Sequence, residues 1–566
     1  IDGMVKAGWI TVTNQKKYRN PVFDGKAFSE KKMLNEEQQT AVDAFTVDYR
    51  QGRRTTYLLY GVTGSGKTEV YMELIDKVIK EGGQAIVLIP EIALTYQTVR
   101  RFYGRFGDKV SVINSRLSLG ERYDQFKRAK EGELQVMVGP RSALFTPFGK
   151  LRLIIIDEEH ESSYKSENSP RYHARETAIH RAKLEGARVI LGSATPSMEA
   201  YYRAKEGEYV LVKLEARFEE RPLPRVSIID MREQLKKGNR LALSLELRED
   251  LSQCLKKGEQ AMLFLNRRGY AGFVSCRSCG HVMKCPHCDV SLSEHNGRKL
   301  ICHYCGYETV KPDKCPVCSS PYIGGFKAGT QQIQQVVEKE FPEARVLRMD
   351  YDTTRAKGSY EKILAAFSRH EADILIGTQM IVKGHDFPDV TLVGILAADL
   401  SLNADDYRSG ERTFQLLTQA VGRAGRGKKE GHALIQTYSP DHYSIQTAAK
   451  QDYEEFYQEE MGYRLLMDYP PAAHMMAVLG SSEDEKLLET AMHYLGLFTG
   501  KIYAGKDLHV IGPAPASVGK VKDVYRRVLY LKHENYDLLV RIKDRLEEYI
   551  EINSGFRKVN IQFDFS

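Results

Sequence analysis

Gly61-Val-Thr-Gly-Ser-Gly66-Lys67-Thr68 is a glycine-rich loop set between the apolar run Thr56–Tyr60 and the helical pattern Glu69–Lys80. A strand, a loop of this kind and a helix in that order form a phosphate-binding turn. The glycines let backbone N–H groups turn inward around phosphates at the start of the helix. The side chain of Lys67 is expected to reach the β- and γ-phosphates, and the hydroxyl of Thr68 to bind Mg²⁺. The predicted nucleotide contacts are Gly61, Thr63, Gly64, Ser65, Gly66, Lys67 and Thr68.

An acidic cluster follows a second apolar run. Leu153-Ile-Ile-Ile156 leads into Asp157-Glu158-Glu159-His160, which puts carboxylates at the carboxyl end of a buried strand, where open α/β sheets bind ligands. We predict that Asp157 holds Mg²⁺ and that Glu158 positions and deprotonates the attacking water. A solvated acidic cluster is the alternative when this stretch is taken alone, and the phosphate loop argues against it.

Two further motifs are predicted to complete the ATP site. Gln38 is expected to offer its carboxamide to the edge of adenine, although a Gln on a polar helix face is commonly just solvated. Gln419-Ala-Val-Gly-Arg423-Ala-Gly-Arg426 puts two arginines on one helix face, from which they can reach the γ-phosphate. A basic helix end at the surface is the alternative. Gly422 and Gly425 argue against it, because glycine costs helix stability unless something approaches closely.

The composition is that of an ordinary globular protein. With 566 residues, of which 42% are apolar and 28% charged, the chain has room for about four domains and is neither disordered nor collagenous. Its apolar runs, such as Leu392 to Ala398, are far shorter than the roughly 20 residues that a membrane helix needs. The formal net charge of +7 permits a polyanionic partner without establishing one.

Short apolar runs alternate with amphipathic segments in two parts of the chain, as parallel α/β sheets require. The first part predicts one lobe and the second part another. The predicted strands are Thr56–Tyr60, Ala85–Ile89, Val136–Val138, Leu153–Ile156 and Val189–Leu191, then Ala261–Leu265, Arg345–Arg348, Ile374–Ile376 and Leu392–Leu396. After the helix-breaking Asp-Tyr-Pro-Pro at 468–471, mixed helical and strand-like runs such as Val528–Leu531 and Val559–Phe563 predict a small α+β domain.

Eight of the nine cysteines lie between Cys276 and Cys318, in a region with few apolar residues. They form four C-x2-C pairs, separated by 5, 13 and 9 residues. Eight thiolates in four such pairs predict two all-cysteine Zn²⁺ sites that replace a core, whereas an iron–sulfur cluster needs only four cysteines. Three pairings are possible, and the short first spacer favours the nested one. That arrangement groups Cys285, Cys288, Cys302 and Cys305 on one ion and Cys276, Cys279, Cys315 and Cys318 on the other.

With these residues in view the chain resembles superfamily 2 helicases, and more closely the PriA family, the primosomal protein N′ family of replication-restart helicases. The resemblance extends over nearly the whole chain. Beyond the motifs above, it rests on Pro90–Thr95, Arg171–Arg175, Gly192–Ser197, Leu265–Gly269, Gly377–Asp386, Asp399–Arg412 and Gly512–Ala516. Departures from the family pattern at Asn114, Pro140 and Asp405 concern details of DNA contact, and none of them is an expected ATP ligand.

The resemblance implies two RecA-like parallel-sheet lobes, a double-zinc insert in lobe two and a small α+β C-terminal domain. It makes Lys67, Thr68, Asp157, Glu158, Gln419, Arg423 and Arg426 ATPase residues, and Gln38 the adenine contact. It also implies that Ser193 to Thr195 couple hydrolysis to lobe movement, that an aromatic-rich loop at Tyr164 to Arg175 links DNA to the ATP site, and that the nested zinc pairing holds.

The implied domains follow the family order. They are a remnant of a winged-helix domain (1–24), lobe one with the ATP site (25–205), lobe two in two parts (206–270 and 326–467), the zinc insert (271–325) and a C-terminal DNA-binding domain (468–566). The 3′-DNA-end-binding domain that leads the family's chains is expected to be missing from this one.

The implied function is ATP-dependent 3′-to-5′ unwinding of DNA at stalled or branched forks, with promotion of primosome assembly and replication restart. The cofactors are ATP, Mg²⁺ and two Zn²⁺. The implied partners are forked and single-stranded DNA, single-stranded-DNA-binding protein and helicase loaders, with no membrane, and the chain is expected to be a cytoplasmic, nucleoid-associated bacterial monomer. A duplex translocase and a DNA-bound scaffold that loads the replicative helicase, with a secondary ATPase, are the alternatives.

Single-stranded DNA is expected to make backbone contacts with Arg141 and Lys383 and to stack its bases on Tyr164 or Tyr172. The alternatives are that these cations are only solvated and that these tyrosines pack within the fold. The segment Lys520 to Lys532 interleaves five basic residues with Tyr525 and Tyr530. It has the composition of a DNA-binding surface, and equally that of a basic edge strand that avoids aggregation.

Overall fold

The computed structural model describes most of the chain, in two compact units. Unit one is Ile1–Pro196 with Arg203–Glu219, and unit two is Ser197–Tyr202 with Glu220–Ser566. The described residues are 2–11, 18–19, 33–51, 55–91, 96–115, 117–216, 223–265, 273–288, 290–295, 299–303, 305–324, 329–356, 358–382, 387–404, 406–427, 429–503, 505 and 507–566.

Unit one alternates helices and strands. The elements are α1 (Asp2–Lys6), α2 (Glu36–Arg50), β1 (Thr56–Gly61), α3 (Lys67–Lys80), β2 (Gln84–Leu88), α4 (Tyr96–Phe106), β3 (Val110–Val112), α5 (Leu119–Glu131), β4 (Val136–Gly139), β5 (Leu151–Asp157), α6 (Ala174–Glu185), β6 (Arg188–Ser193), α7 (Met198–Lys205) and β7 (Val210–Leu214). The first residues of α7, up to Tyr202, belong to unit two.

The strands of unit one form a seven-stranded sheet in the order β3-β4-β2-β5-β6-β1-β7, and every neighbouring pair is parallel. Crossover helices cover such a sheet, which is why its central strands read as continuous apolar runs. The apolar side of α3, including Val70, Leu74 and Ile75, packs on these strands in one buried core. The carboxyl ends of β1, β5 and β6 therefore lie side by side at one edge.

Unit two begins with a second α/β layer. Its elements are β8 (Arg225–Asp230), α8 (Met231–Lys236), α9 (Leu245–Lys256), β9 (Gln260–Leu265), then α10 (Thr330–Glu340), β15 (Val346–Met349), α11 (Ser359–Ser368), β16 (Ile374–Gly377), β17 (Val390–Leu396), α12 (Asp399–Leu402), α13 (Ser409–Val421), β18 (His432–Thr437), α14 (Tyr443–Lys450) and α15 (Tyr453–Leu466). The sheet order is β15-β16-β9-β17-β18-β8, again with parallel neighbours throughout.

The cysteine-rich segment lies between β9 and α10 and contains only short strands among its described residues. They are β10 (Ser275–Cys276), β11 (Ser293–His295), β12 (Lys299–Ile301), β13 (Glu308–Val310) and β14 (Ile323–Gly324). β10 pairs with β14, and β11, β12 and β13 form an antiparallel sheet. Strands this short bury little apolar surface, so the segment needs another source of stability.

The chain ends in a domain that pairs an antiparallel sheet with two helices. Its elements are β19 (His474–Ser482), α16 (Glu485–Ile502), β20 (His509–Val521), β21 (Val524–His533), α17 (Tyr536–Ile552) and β22 (Asn560–Phe565). The sheet order is β20-β21-β19-β22, and Leu488, Leu495, Leu529 and Leu539 belong to its core. Lys522 and Asp523 both have positive φ, 48° and 61°, as a two-residue hairpin turn between β20 and β21 requires.

The predicted fold class is confirmed: two parallel-sheet lobes, a Cys-rich insert in the second and a small α+β domain at the end. Each strand predicted from the sequence matches a strand of the structure. The sequence analysis missed β3, β7, β8 and β18 in the lobes and β19 and β20 in the last domain. The proposed domain boundaries stay predictions, and those at residues 24, 270 and 325 lie outside the described residues.

Candidate functional site

Three polar segments meet at the carboxyl edge of the sheet in unit one. β6 lies between β1 and β5, so the phosphate loop after β1, the acidic cluster after β5 and the Ser193 segment after β6 come from adjacent strands. The register pairs Tyr60 with Ser193 and Asp157 with Gly192. The fold thus assembles in one place motifs that lie far apart in the sequence.

The phosphate loop is a tight turn that only glycine permits at two positions. Gly64 and Gly66 have φ of 86° and 81°, in the left-handed region. A Cβ on Gly66 would lie 2.4 Å from Nε2 of Gln38, and a Cβ on Gly61 would lie 2.5 Å from Oγ of Ser65. Lys67 is the first residue of α3, and its Nζ donates a hydrogen bond to the Gly61 carbonyl at 2.7 Å. The hydrogen bond from Lys67 to Gly61 therefore joins the end of the loop to its beginning and fixes the position of the lysine side chain.

Gln38 braces this loop. Its side chain is only 2% exposed, its Nε2 donates to the Ser65 carbonyl at 2.8 Å, and its Oε1 accepts from the Asn35 backbone N–H at 3.1 Å. The sequence analysis assigned the carboxamide to adenine. The structure gives each end of it one contact with the protein backbone, which fixes the shape of the phosphate loop.

The acidic cluster begins with a buried carboxyl. Tyr71, on α3, donates from its hydroxyl to Oδ1 of Asp157 at 3.0 Å. Burial, and then the neighbouring Glu158, raise the pKa of Asp157 to about 6. Glu158 has a φ of 49°, and its Oε2 is buried with no hydrogen-bond partner among the described residues. A buried acceptor without a partner fits a group that binds a ligand or a water.

His160 joins the acidic cluster to the segment after β6. Its Nδ1 lies 2.7 Å from Oγ of Ser193, which also accepts the backbone N–H of Thr195 at 2.9 Å. The Ser193 hydroxyl can accept from Thr195 and still donate its own hydrogen, so Ser193 can donate to Nδ1 of His160. A change at the acidic cluster therefore has a direct route to the 193–195 segment, which the resemblance assigns to coupling.

The aromatic-rich loop is fastened to the acidic cluster at both ends. Tyr164 donates from its hydroxyl to the Asp157 carbonyl at 2.7 Å, and Nη1 of Arg175 lies 3.2 Å from Oε2 of the buried Glu159. Tyr164 is only 1% exposed, so the prediction that it stacks on DNA bases is wrong. Its ring is a structural support of the cluster, and it has no free face for a base.

Tyr172 and Arg141 stay partly exposed on the other side of this loop. The guanidinium of Arg141 lies 5.4 Å from the centre of the Tyr172 ring, and Phe145 meets that ring edge-on at 5.3 Å. Arg141 also donates to the carbonyls of Ser163, at 3.1 Å, and Lys165. The loop thus carries an exposed aromatic and basic surface. Lys383, the other predicted backbone contact, lies outside the described residues.

The predicted ATPase residues of unit two lie at the end of α13 and just beyond it. Gln419 is in the last turn of α13, Arg423 follows it, and Arg426 donates from Nε to the Gly422 carbonyl at 2.8 Å. All three are half-buried. Gly425 has a φ of 66°, and a Cβ there would lie 2.5 Å from the Gly431 backbone nitrogen, so the glycine permits a close chain approach.

The eight cysteines of the insert form two groups of four. The structure brings together Cys276, Cys279, Cys315 and Cys318 in an outer group, and Cys285, Cys288, Cys302 and Cys305 in an inner group, each with its sulfurs within 4.8 Å of one another. Sulfur pairs in the outer group are 3.6 Å apart, and Cys285 and Cys305 in the inner group are 3.5 Å apart. Disulfides would need about 2.05 Å. Four thiolates around tetrahedral zinc lie about 3.8 Å apart.

The two groups differ in their surroundings. Cys318 of the outer group is exposed, whereas the inner group packs with Tyr407, Tyr469 and Met475 in a buried cluster. The next residue after Cys302, His303, is 2% exposed and its Nδ1 lies 3.1 Å from the Pro515 carbonyl on β20. The inner group therefore holds the insert against the C-terminal domain, a contact that the cysteine spacing did not indicate.

The basic segment of the C-terminal domain divides into exposed and buried residues. Lys520, Lys522 and Arg526 are exposed on the β20–β21 hairpin, whereas Arg527 pairs with Glu489 at 3.0 Å. Lys532 is 5% exposed, lies 3.6 Å from the centre of the Tyr469 ring and donates to the Met467 carbonyl at 2.9 Å. Burial lowers the pKa of Lys532 to about 8. The prediction that Lys532 belongs to a DNA-binding surface is thus wrong, whereas the basic residues at the hairpin tip are exposed.

The comparisons with known proteins agree with this arrangement. The DEAD/DEAH box helicase family matches residues 35–203, and the helicase conserved C-terminal domain matches 322–428. The PriA DNA helicase Cys-rich region matches 285–309, and the primosomal protein N C-terminal domain matches 466–565. Replication restart protein PriA of Bacillus subtilis is 47% identical over 569 residues, covering 100% of this chain and 70% of that protein. The chain belongs to the PriA family.

Other PriA proteins are similar over the same span. The one from Synechocystis is 42% identical over 97% of this chain and 67% of its own length, and that of Treponema pallidum is 38% identical over 93% and 80%. A solved structure of RecG bound to a three-way DNA junction covers 77% of this chain and 50% of its own at 16% identity, with a TM-score of 0.44. With its helicase domains and its PriA relatives, the chain is a DNA helicase and ATPase. Among the described residues no helix is long and apolar enough to cross a membrane.

One side chain of the site, that of Tyr71, is not predicted from the sequence. Tyr71 is fully buried and touches the carboxyl of Asp157. Its signal was available: it lies four residues after Lys67, on the same face of the predicted helix. Gly192 supports its place, because a Cβ there would lie 1.6 Å from the Tyr71 hydroxyl.

Substitution of Gly66 by alanine should abolish nucleotide binding. The new Cβ would meet Nε2 of Gln38 at 2.4 Å in a backbone with φ of 81°, so the loop must open. We expect nucleotide affinity to fall by at least about 100-fold, measured by titration with a fluorescent ATP analogue. Gly82→Ala is the matched control, because Gly82 also has a positive φ, 76°, but nothing within 4 Å. It should cost about 1 kcal/mol of stability and leave affinity unchanged. Equal affinity in both variants would contradict the assignment.

Proposed function

We propose that this chain is an ATP-driven motor that unwinds forked DNA in the 3′-to-5′ direction during replication restart, acting on the bacterial chromosome as a monomer. The observation that carries the proposal is the edge of unit one, where the phosphate loop, Asp157 and Ser193 end adjacent strands and three hydrogen bonds hold them: Lys67 to the Gly61 carbonyl, Tyr71 to Asp157, and Ser193 with His160. We propose that a nucleotide bound at this edge acts on the 193–195 segment through the contact between His160 and Ser193. Membership of the PriA family supplies the restart context.

The residues present fit ATP with Mg²⁺. Gly61 and Gly66 leave no room for a Cβ, as a tight cradle for phosphates requires, and the Nζ of Lys67 donates to the Gly61 carbonyl. We propose that the backbone N–H groups of Gly64 to Thr68 hold the phosphates and that Thr68 and Asp157 hold Mg²⁺. We propose that Glu158 deprotonates the attacking water through Oε2, which accepts no hydrogen bond from the described residues and lies 3.7 Å from Nδ1 of His160. The metal ion would neutralise charge on the phosphate oxygens. Gln419, Arg423 and Arg426 stay in the proposal as further ATPase residues.

Gln38 stays in the proposal in two capacities. Each end of its carboxamide makes one hydrogen bond to the protein, and the amide nitrogen and oxygen each have one more bonding position. An adenine edge would use both remaining positions. We propose that adenine binding thereby tightens the brace on Ser65, so that the base and the phosphates are recognised by one connected set of groups.

The two groups of cysteines fit two Zn²⁺ ions. Soft thiolates are the ligands that structural zinc prefers, and the sulfur spacings of 3.5 to 3.6 Å suit a tetrahedral site rather than disulfides. We propose that both sites are structural. The inner site also connects the insert to the C-terminal domain through Tyr469 and His303.

We propose that single-stranded DNA binds the exposed side of the aromatic-rich loop, and that the tip of the β20–β21 hairpin is a separate contact for DNA. Tyr172, with Arg141 beside it, offers a ring for base stacking and a cation for the backbone. Lys520, Lys522 and Arg526 offer further phosphate contacts. A strand bound there would pull on a loop whose Tyr164 is bonded to the backbone of Asp157, which provides a route from DNA to the ATPase.

Loading of a replicative helicase by a DNA-bound scaffold is the second candidate. Docking of the C-terminal domain on the inner cysteine group favours it, because a domain held in a fixed orientation can present a surface to protein partners. Single-stranded-DNA-binding protein and helicase loaders are the proposed partners in either case. The two functions are compatible in one chain, and Lys67 separates them, since loading without a motor does not need its side chain.

Lys67→Ala should abolish unwinding without unfolding the chain. We expect the unaltered, zinc-replete protein to separate forked DNA that carries a 3′ single-stranded arm and to leave a 5′-arm fork intact, with the variant inactive on both. The measurement is fluorescence dequenching of labelled strands. Lys80→Ala, at the exposed end of the same helix, is the control and should stay active. DNA-stimulated hydrolysis without strand separation would instead support the translocase or scaffold.

Tyr164→Phe should weaken the stimulation of ATP hydrolysis by DNA. The change removes only the hydroxyl that donates to the Asp157 carbonyl, so basal hydrolysis should change less than stimulated hydrolysis. A hydrogen bond of about 1 to 1.5 kcal/mol corresponds to a loss of stimulation of roughly five- to tenfold. The control is Tyr57→Phe, another buried tyrosine of unit one, whose hydroxyl bonds to Asp48. Stimulation that survives in Tyr164→Phe would exclude this route from DNA.

Loss of the inner metal group should affect the C-terminal domain, and loss of the outer group should not. Cys302→Ser and Cys318→Ser should each release about one zinc ion per chain, measured with a chromogenic chelator. Only Cys302→Ser should make residues 466–566 sensitive to limited proteolysis, because the inner group packs with Tyr469 and Met475. Equal sensitivity in the two variants would show that the inner group does not hold the domain in place.

A further inference from the structure

A cluster of buried charges in unit two has no part in the sites described above. At its centre is Arg464, on α15, whose side chain is completely buried. Its Nη2 donates to Oε2 of Glu411 at 2.6 Å, and its Nε donates to Oε1 of Glu460 at 2.8 Å. Its Nη1 donates to the Pro470 carbonyl at 2.6 Å. Each nitrogen of the planar guanidinium thus has its own acceptor, which fixes the orientation of the group.

The cluster contacts the first residues of α7. The second carboxylate oxygen of Glu411 accepts the backbone N–H of Met198 at 3.0 Å. Glu199 accepts from Nη2 of Arg408 at 2.8 Å, and its Oε1 lies 4.0 Å from Nη1 of Arg464. Met198 and Glu199 come directly after the Gly192–Ser197 stretch in the chain. The segment that leaves the Ser193–Thr195 motif is therefore held by charges on both α13 and α15.

Helix α13 is adapted to this contact. A Cβ on Gly410 would lie 2.8 Å from Oε2 of Glu460 and 2.8 Å from the Tyr443 hydroxyl, so glycine is needed there for the helix to approach. The Tyr443 hydroxyl donates to the same Oε2 at 2.7 Å. Gln419 follows Glu411 by eight residues on this helix, about 12 Å along its axis. A displacement at Glu411 is thus carried along two rigid turns to the predicted ATPase residues.

The cluster also reaches the inner cysteine group. The ring of Tyr407 stacks on Tyr469 with centroids 4.6 Å apart, and the Arg464 guanidinium lies 5.3 Å from the centre of Tyr407. Tyr407 and Tyr469 belong to the buried cluster that contains Cys285, Cys288 and Cys302. One connected set of contacts therefore joins three segments: the start of α7, helix α13, and Tyr469 and Pro470, which form the base of the C-terminal domain.

The chemistry of the cluster favours positioning over stability. Moving a charge out of water costs several kcal/mol, and well-packed apolar side chains of similar volume commonly serve a core at least as well. What charged groups with several directional hydrogen bonds provide is a single defined geometry. Here that geometry relates three segments that come from distant parts of the sequence.

We propose that Arg464 is a positioning residue that acts together with Glu411 and Glu199. Through this cluster, the segment after Ser193–Thr195, helix α13 and the base of the C-terminal domain move as one body during the ATP cycle. The inference rests on the proposed function, an ATP-driven motor. Arg464 acts on the motor through α7 and α13, and its hydrogen bonds in the described part of the chain go to Glu460, Pro470 and Glu411. Without the cluster, hydrolysis would continue while its motion would no longer reach the rest of unit two.

The test compares Glu411→Gln and Glu199→Gln with the unaltered chain. Both changes keep the shape of the side chain and remove its charge. Glu455→Gln is the matched control, because Glu455 lies on α15 in an exposed pair with Lys450. For each protein we would measure kcat and KM of DNA-stimulated ATP hydrolysis, and base pairs separated per ATP hydrolysed on a fork. We expect kcat and KM to stay within about twofold and the base pairs per ATP to fall at least tenfold in the two cluster variants only.

The outcomes separate this inference from the proposed function. A merely structural cluster would lower hydrolysis and unwinding together, in proportion to the folded fraction, and leave base pairs per ATP unchanged, which would overturn the inference. Unchanged unwinding in both variants would also overturn it. If Glu411→Gln does not fold, Glu199→Gln, whose side chain is 15% exposed, gives the same reading on its own. An unaltered chain without DNA-stimulated hydrolysis would refute the proposed function itself, and the inference with it.

Discussion

The position of β6 between β1 and β5 is the constraint on which the nucleotide site depends. Because all three strands are parallel, their carboxyl ends face the same edge, and the loops that follow them must be neighbours. The phosphate loop, the acidic cluster and Ser193 are thereby brought to one edge, although they lie far apart in the sequence. The strands that hold this order are aliphatic along most of their length, and β5 and β6 contribute polar groups to the site only at their last residues, Asp157 and Ser193. Their contribution is to keep the edge fixed while the loops carry the chemistry.

The sequence allowed prediction of the elements that are buried on both faces and of the motifs at their ends. Strands such as Leu153–Ile156 are uniform apolar runs, a pattern that is typical of strands buried on both faces of a sheet. It did not reveal β7 and β8, because these edge strands mix exposed and half-buried residues and lack such a run. Nor did it show which polar side chains turn inward. Tyr164 and Lys532 lie in polar, aromatic-rich stretches, and only the tertiary fold determines that one supports Asp157 and the other packs on Tyr469.

The pairing of the cysteines illustrates a different limit. Spacer length favoured the nested arrangement, since five residues leave little room to turn one knuckle onto the next, and the structure groups the sulfurs that way. Spacing carries no information on what surrounds each group. The inner group lies against aromatic residues from α15 and the strands that follow it, so it contributes to the docking of a domain that begins far along the chain. The outer group has one exposed cysteine, Cys318, and its first knuckle lies against the second lobe, where Arg232 donates to the Cys279 carbonyl at 3.5 Å.

Buried charges at Arg464 and aliphatic strands at β6 stabilise the protein in opposite ways. An apolar sheet gains free energy from every residue that it buries, tolerates small rearrangements and specifies geometry only coarsely. An ion cluster gains little net free energy, but a shift of about an ångström leaves charges unpaired in a medium that cannot solvate them. A motor needs both properties. Its sheets must keep one structure, and the contacts between its moving segments must fix a defined geometry in each state. The chain places aliphatic residues in its sheets and the Arg464 cluster where the segment following Ser193–Thr195 meets α13.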